Sequence, residues 1–272
     1  KMNKIVKVGP SDRSITKDIV FGHVMKNKEN CLELLQSILP QLNLTSVEDV
    51  TAQQVIDEGL KEKSVRLDIM AKDNEGRLFD IEMQVARQEY IGKRLRYYQA
   101  EMDKFSLDRG LNYDQIADTY IIFLCPYDPF YRTRTRYEFS AREDHDPSIK
   151  LETGAHWIFL NSKGKDKDVN KGLQQFLDFM NGEIDISSTF IARLNKEIDR
   201  YVGSSEWRDD KMKLQTMLRD TERERAIEDL KKSANRMRQL GANEANIFKM
   251  LKEDYHGQLS DEEIRKYMNE TK

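Results

Sequence analysis

Residues 66–84 read RLDIMAKDNEGRLFDIEMQ. Around a polar centre, Lys72 to Arg77, lie two runs in which apolar and polar residues alternate, Val65 to Ala71 and Leu78 to Val85. The centre supplies the Asp, Asn and Gly that a hairpin loop demands, so the stretch predicts two antiparallel strands and their turn. Successive side chains of a strand leave by opposite faces, which puts Glu82 and Gln84 on one face and Ile81, Met83 and Val85 on the other. A hairpin of this length brings Asp68 alongside Glu82. Asp80 shares the face of Glu82.

Outward from the hairpin the pattern changes twice. Upstream, a further strand is predicted within Val50 to Ile56. Before it, Ile19, Val24, Met25, Leu32, Leu35 and Ile38 stand at helical spacing between residues 15 and 39, where Pro40 closes one or two amphipathic helices. Downstream, helical spacing returns over Arg87 to Asp108, with Gly110 placed as a helix C′ residue. Thr119 to Cys125 (TYIIFLC) is a continuous apolar run, as in a strand buried on both faces. Strands at Tyr137–Ala141 and His156–Leu160, and helices at Leu173–Met180 and Phe190–Val202, complete an α/β pattern with a mixed β-sheet flanked by helices.

Composition sets the outer limits. The chain has 272 residues, 45 basic and 48 acidic, with a formal net charge of −3. Eleven Phe, eleven Tyr and two Trp distinguish it from a disordered polyampholyte. Near-neutrality excludes a globally basic nucleic-acid binder, so any such function rests on local patches. No run approaches the ~18–20 apolar residues of a membrane span, and the N-terminal KMNKIVKVGP lacks the apolar stretch of a signal peptide. Cys31 and Cys125, far apart and in apolar contexts, read as free thiols of a reducing cytoplasm. Charge density rises near residue 205, dividing a core (1–205) from a charged helical C-terminal extension (206–272) that carries 15 basic and 15 acidic residues. Within the extension, Glu206 to Leu240 reads as one long helix or two, with an apolar stripe at Ile227, Leu230, Ala234 and Met237 only in its second half. Gly241 ends it, Asn243 caps a further helix, and Ser260 to Glu263 is a capping box.

The face bearing Asp68, Glu82 and Gln84 has two readings. Paired carboxylates are ligands for Mg²⁺, which takes one or two protein carboxylates and completes its octahedron with water and phosphate oxygens. An ion so placed supports hydrolysis of a phosphodiester. The ordinary alternative is a polar face turned to solvent, the default for an antiparallel pair. For Asp80, a solvated aspartate at a strand start is the ordinary reading and an auxiliary ligand the other.

The same residues resemble the active-site hairpin of the PD-(D/E)XK nuclease superfamily, in the variant that ends E-x-Q rather than E-x-K. More narrowly they resemble the bacterial Rpn group of recombination-promoting nucleases, or PD-(D/E)XK nuclease family transposases. The likeness extends to Arg94 and Tyr98 as an R-x-x-x-Y on the next helix, to Gly110-Leu-Asn-Tyr113, to Asp18-Ile-Val-Phe21, and to Trp157-Ile-Phe-Leu-Asn161. The Lys usual after Phe21 is Gly22 here. In the tail, Gly241, Ile247 and Glu262-Glu263-Ile264 are similar to the group's C-terminal helical segment. The resemblance implies a restriction-endonuclease-like core and Mg²⁺ or Mn²⁺ held by Asp68, Glu82 and the Met83 carbonyl. It further implies a metal-dependent DNA endonuclease leaving a 5′-phosphate, with a role in mobile-element recombination or defence against foreign DNA, and for some members action as a homodimer. Gln84 stands in for the superfamily's lysine, and it can orient a water but brings no charge. The missing charge has three candidate sources: Arg66, Arg94 or a second metal.

Arg94, Arg96, Tyr97 and Tyr98 open the helix after the hairpin, within reach of a phosphate backbone. Their structural alternative is Tyr98 in the core and the arginines paired with Glu101 or Asp103. Arg132, Arg134 and Arg136 form a phosphate rail if extended and a plain surface loop otherwise. The helices about Gly241 match a helix-turn-helix only weakly, and packing or autoregulation is the alternative. Two rivals to the nuclease reading remain: a catalytically weak DNA-binding relative, and a protein-interaction module acting through the helical tail.

Overall fold

A computed structural model describes residues 5–7, 9, 11–56, 65–106 and 112–270, with the side chains of 53–56 and 65–66 outside the description. It divides into two compact units, Lys1–Ser204 and Ser205–Lys272.

The first unit is built on a six-stranded sheet in the order β2-β3-β4-β5-β7-β6. Its strands are β2 (Val47–Ile56), β3 (Val65–Asp73), β4 (Leu78–Met83), β5 (Thr119–Cys125), β6 (Arg136–Phe139) and β7 (Ala155–Asn161). The hairpin β3–β4 is antiparallel, whereas β4, β5 and β7 run parallel, so the sheet is mixed as expected. Its turn is made by Asp73, whose Oδ1 accepts the N–H groups of Glu75 and Arg77, and by Gly76 at φ 84°, a value that favours glycine. Every residue of β4 and β5 is buried. A small second sheet pairs β1 (Ile5–Lys7) with β8 (Glu183–Asp185), a pairing that the sequence pattern does not predict because three residues carry no period.

Helices cover both faces. On one side lies α3 (Ile91–Ser106), whose Leu95, Tyr98 and Met102 pack with Ile121, Phe123 and Cys125 of β5 and with Met70 and Leu78 of the hairpin. On the other, α1 (Asp18–Met25) and α2 (Lys28–Ile38) pack against β2, and α4 (Lys171–Met180) and α5 (Thr189–Val202) pack against them. Asn27 caps α2 by accepting the N–H groups of Glu29 and Asn30, and α2 stops before Pro40, as its sequence dictates. The predicted C′ role of Gly110 lies outside the described residues.

The second unit comprises α6 (Ser205–Gln239), α7 (Glu244–Asp254) and α8 (Asp261–Asn269). The stretch read as one long helix or two is thus one helix, which runs to Gln239 and is followed by Gly241 at φ 83°. Leu230 and Ala234 of α6 meet Ile247 and Leu251 of α7 and Ile264 and Met268 of α8, with Ile227 and Met237 at the margin. The apolar faces of α7 and α8 are spent on this core. The capping box at Ser260 is present, the hydroxyl accepting the N–H of Glu263 and the Glu263 carboxylate accepting the N–H of Ser260.

Candidate active site

The site begins where the β3–β4 ladder stops. Backbone pairing runs from Lys72↔Leu78 to Ile69↔Ile81 and goes no further. The next pair in that register is Asp68 and Glu82, and here side chains replace the ladder. The Asp68 N–H donates to Glu82 Oε1 at 2.9 Å, and the Met83 N–H donates to Asp68 Oδ2 at 3.0 Å. In an extended strand the N–H and C=O of one residue point to the same neighbour, so the Met83 carbonyl also faces Asp68's strand. β4 is held on its other side by β5, through the Gln84 N–H and the Leu124 carbonyl at 2.9 Å.

Arg94 completes the site from the first turns of α3. One guanidinium nitrogen donates to Gln84 Oε1 at 2.6 Å, and the other to Glu82 Oε2 at 2.9 Å. Tyr98, one helical turn on and therefore on the same face, receives Arg94 Nε at its hydroxyl at 2.7 Å, with the guanidinium 4.8 Å from its ring centre. The Gln84 amide nitrogen donates to the Ala86 carbonyl. Both polar ends of Gln84 are thus engaged by the protein. Tyr98 packs in the core, as the structural alternative held, while Arg94 pairs with Glu82 rather than with Glu101 or Asp103. Arg96 is exposed. The side chain of Arg66 lies outside the described residues, as do Gly110 and Leu111 of the G-x-x-Y motif.

Asp80 corrects the sequence reading. It is fully buried, not solvated, because β4 is an interior strand and α3 covers the face it shares with Glu82. A signal for this was present: Ile121 and Phe123 of the all-apolar β5 continue the same face, and an apolar continuation must be covered. Neither Asp80 oxygen has a hydrogen-bond donor. Its close polar neighbour is the Glu82 carboxylate, with which it can share only a proton or a cation. Burial, then repulsion from Glu82 and Asp68, raises the Asp80 pKa well above the ordinary range. Burial, then Asp68, pushes Glu82 up to about 7 against the pull of Arg94.

Among the described residues the Arg94 guanidinium is the cation paired with Glu82, and the buried Asp80 carboxyl beside it is accommodated by a proton or by a cation. The donor set suits a hard divalent cation. Among the described residues no three His, Cys, Asp or Glu side chains form a metal cage by themselves. That is compatible with Mg²⁺, which relies on water and phosphate for much of its shell.

The other expectations divide. Arg132, Arg134 and Arg136 form no extended rail: Tyr131 and Thr133 have φ of 56° and 60°, and Arg136 donates to the Ile38 carbonyl and pairs with Glu138. His145 is exposed, while His23 and His156 stack on Tyr201 and Tyr120. Both cysteines are buried and free, and no described helix is long and apolar enough to cross a membrane.

A mixed six-stranded sheet flanked by helices, with acidic residues converging where its central hairpin opens, is the α/β fold of PD-(D/E)XK proteins. A family model described as PD-(D/E)XK nuclease family transposase matches residues 18–235, and the chain belongs to that family. No curated protein and no solved structure gives a match.

Proposed function

We propose that the protein is a divalent-metal-dependent DNA endonuclease whose active site is Asp68, Glu82, Gln84 and Arg94. The observation that carries this reading is the acid excess at the open end of the hairpin, above all the Asp80 carboxyl buried without a donor beside Glu82. Asp68, Glu82 and the Met83 carbonyl hold the ion, and Asp80 adds negative charge behind them. Bound there, Mg²⁺ or Mn²⁺ lowers the pKa of water and offsets charge on the phosphodiester.

The chain's own residues supply the rest. Gln84 does not replace the lysine of E-x-K members directly; it holds Arg94, and the guanidinium brings the positive charge to that position. Tyr98, kept protonated by burial, fixes the guanidinium from behind. Hydrolysis breaks the bond between phosphorus and the 3′ oxygen, leaving a 3′-hydroxyl and a 5′-phosphate. Recombination of mobile elements is the biological setting that family membership favours.

A supercoiled plasmid incubated with Mg²⁺ or Mn²⁺ tests the reading. Nicking that requires the ion, and that Asp68→Ala and Glu82→Ala each abolish, supports it. Equal nicking by those variants overturns the site. Binding of metal and DNA without nicking identifies a catalytically weak DNA-binding relative instead.

A further inference from the structure

We propose that Tyr131, backed by Arg87 and Tyr127, forms a seat for an unpaired nucleobase beside the active site, so that the preferred substrate is single-stranded or frayed DNA. This rests on the nuclease reading above and names the substrate of that site.

The segments after β4 and β5 emerge side by side at the carboxyl ends of parallel strands, where open α/β sheets hold their ligands. Arg87 follows Gln84 by three residues, a span of at most about 11 Å. The two are tied more closely than that, because the Ala86 carbonyl accepts both the Gln84 amide and, at 2.9 Å, the Tyr127 hydroxyl. The Arg87 guanidinium lies 4.7 Å from the Tyr127 ring centre and 4.4 Å from that of Tyr131, and it donates to the Asp128 carbonyl at 2.9 Å.

Tyr131 remains 74% exposed with Arg87 against it. Nothing in core packing requires an aromatic residue there, yet its backbone is held at φ 56°, a conformation that costs free energy for a residue with a Cβ. The surrounding loop sustains it. The Asp128 carboxylate accepts from the N–H groups of Phe130 at 3.0 Å and Thr133 at 2.5 Å and from the Tyr137 hydroxyl at 2.8 Å. An exposed ring is thereby fixed in place at one end of a cation–aromatic stack. Tyr90, four residues before Arg94, is 62% exposed, and Lys93 lies over its ring at 5.2 Å.

Rings and guanidinium planes take up bases through their π-faces. In a continuous duplex those faces are covered by neighbouring pairs; only an unpaired or terminal base presents one. Phosphates alone need charge, not exposed tyrosines.

The test measures fluorescence anisotropy of one sequence, as a single strand and as a covalently closed duplex circle without ends, with a chelator present so that cleavage plays no part. The wild-type chain should bind the single strand more tightly. Tyr131→Ala should weaken single-strand binding roughly tenfold and leave duplex binding unchanged, whereas Tyr131→Phe should retain it. Equal affinity for both forms, or equal loss on both in Tyr131→Ala, overturns the proposal. Photo-crosslinking of a 5-iodouracil oligonucleotide to the wild-type chain gives an answer independent of the variants' folding: crosslinks to Tyr131 support the seat, and crosslinks that spare Tyr131 contradict it. Plasmid nicking without single-strand preference removes this inference alone. Single-strand binding without metal-dependent cleavage removes the nuclease reading alone.

Discussion

The carboxylates of Asp68 and Glu82 each take a backbone N–H from the opposing strand, Asp68 from Met83 and Glu82 from Asp68. The hairpin thus ends in a pair of acids that do the work of the ladder. An amide can accept the same N–H groups while bringing no charge, so Asp68→Asn and Glu82→Gln separate the two roles. Both variants should keep the fold in circular dichroism, and calorimetric titration with Mn²⁺ should show affinity reduced by at least about tenfold, or 1.4 kcal/mol. Unchanged affinity would place the ion elsewhere.

The raised pKa of Glu82 predicts a pH-dependent stability. Folding lifts this group from its ordinary 4.5 to about 7, so the folded chain binds the proton more tightly than the unfolded one. That contribution is complete below 4.5 and is lost as pH rises through about 7. It amounts to something on the order of 3 kcal/mol. Asp80, shifted in the same direction, adds to it. With a chelator present the melting temperature should fall across this window, and Mg²⁺ or Mn²⁺ should restore it. Asp80→Asn removes one of the three charges and should raise the melting temperature at alkaline pH; a decrease would show that Asp80 has a stabilising partner.

Arg94 and Gln84 are expected to behave as a unit. Lysine at position 84 brings the charge that E-x-K members use, but it would face the Arg94 guanidinium at the distance of a hydrogen bond. Gln84→Lys alone should therefore lower nicking, and Arg94→Gln should lower it further by removing the cation. Joined in one chain, the two changes restore a single positive charge and should recover activity beyond the product of the separate effects. Simple multiplicativity would mean that the residues act independently.

In the second unit, Leu251 is fully buried against α6 and α8. Leu251→Ala should cost about 2–5 kcal/mol within this unit. Hydrogen exchange on the full chain should show faster exchange in α7 and α8 while β4 and β5 keep their protection. Uniform acceleration would show that the units unfold together.

Most of the sheet was legible because its strands carry strong local signals. Lys72 to Arg77 has hairpin chemistry, the TYIIFLC run is apolar after its opening threonine, and alternation puts Glu82 and Gln84 on one face. The convergence of Asp68 on Glu82 followed from the same alternation. What the sequence hid was set by distant partners. Asp80 looks solvated until α3 is laid over β4, and Gln84 looks free to hold water until Arg94 arrives from ten residues on. The β1–β8 pair joins segments nearly the whole core apart, and positive φ at Tyr131 and Thr133 decides between the two readings of Arg132 to Arg136 in favour of the loop.

One divalent ion held between Asp68 and Glu82 is what the nuclease proposal requires above all. Anomalous diffraction from crystals soaked in Mn²⁺ measures this directly. A single strong peak is expected within bonding distance of both carboxylates and the Met83 carbonyl, absent in Asp68→Asn. A peak elsewhere, or none at a Mn²⁺ concentration that supports nicking, would contradict it.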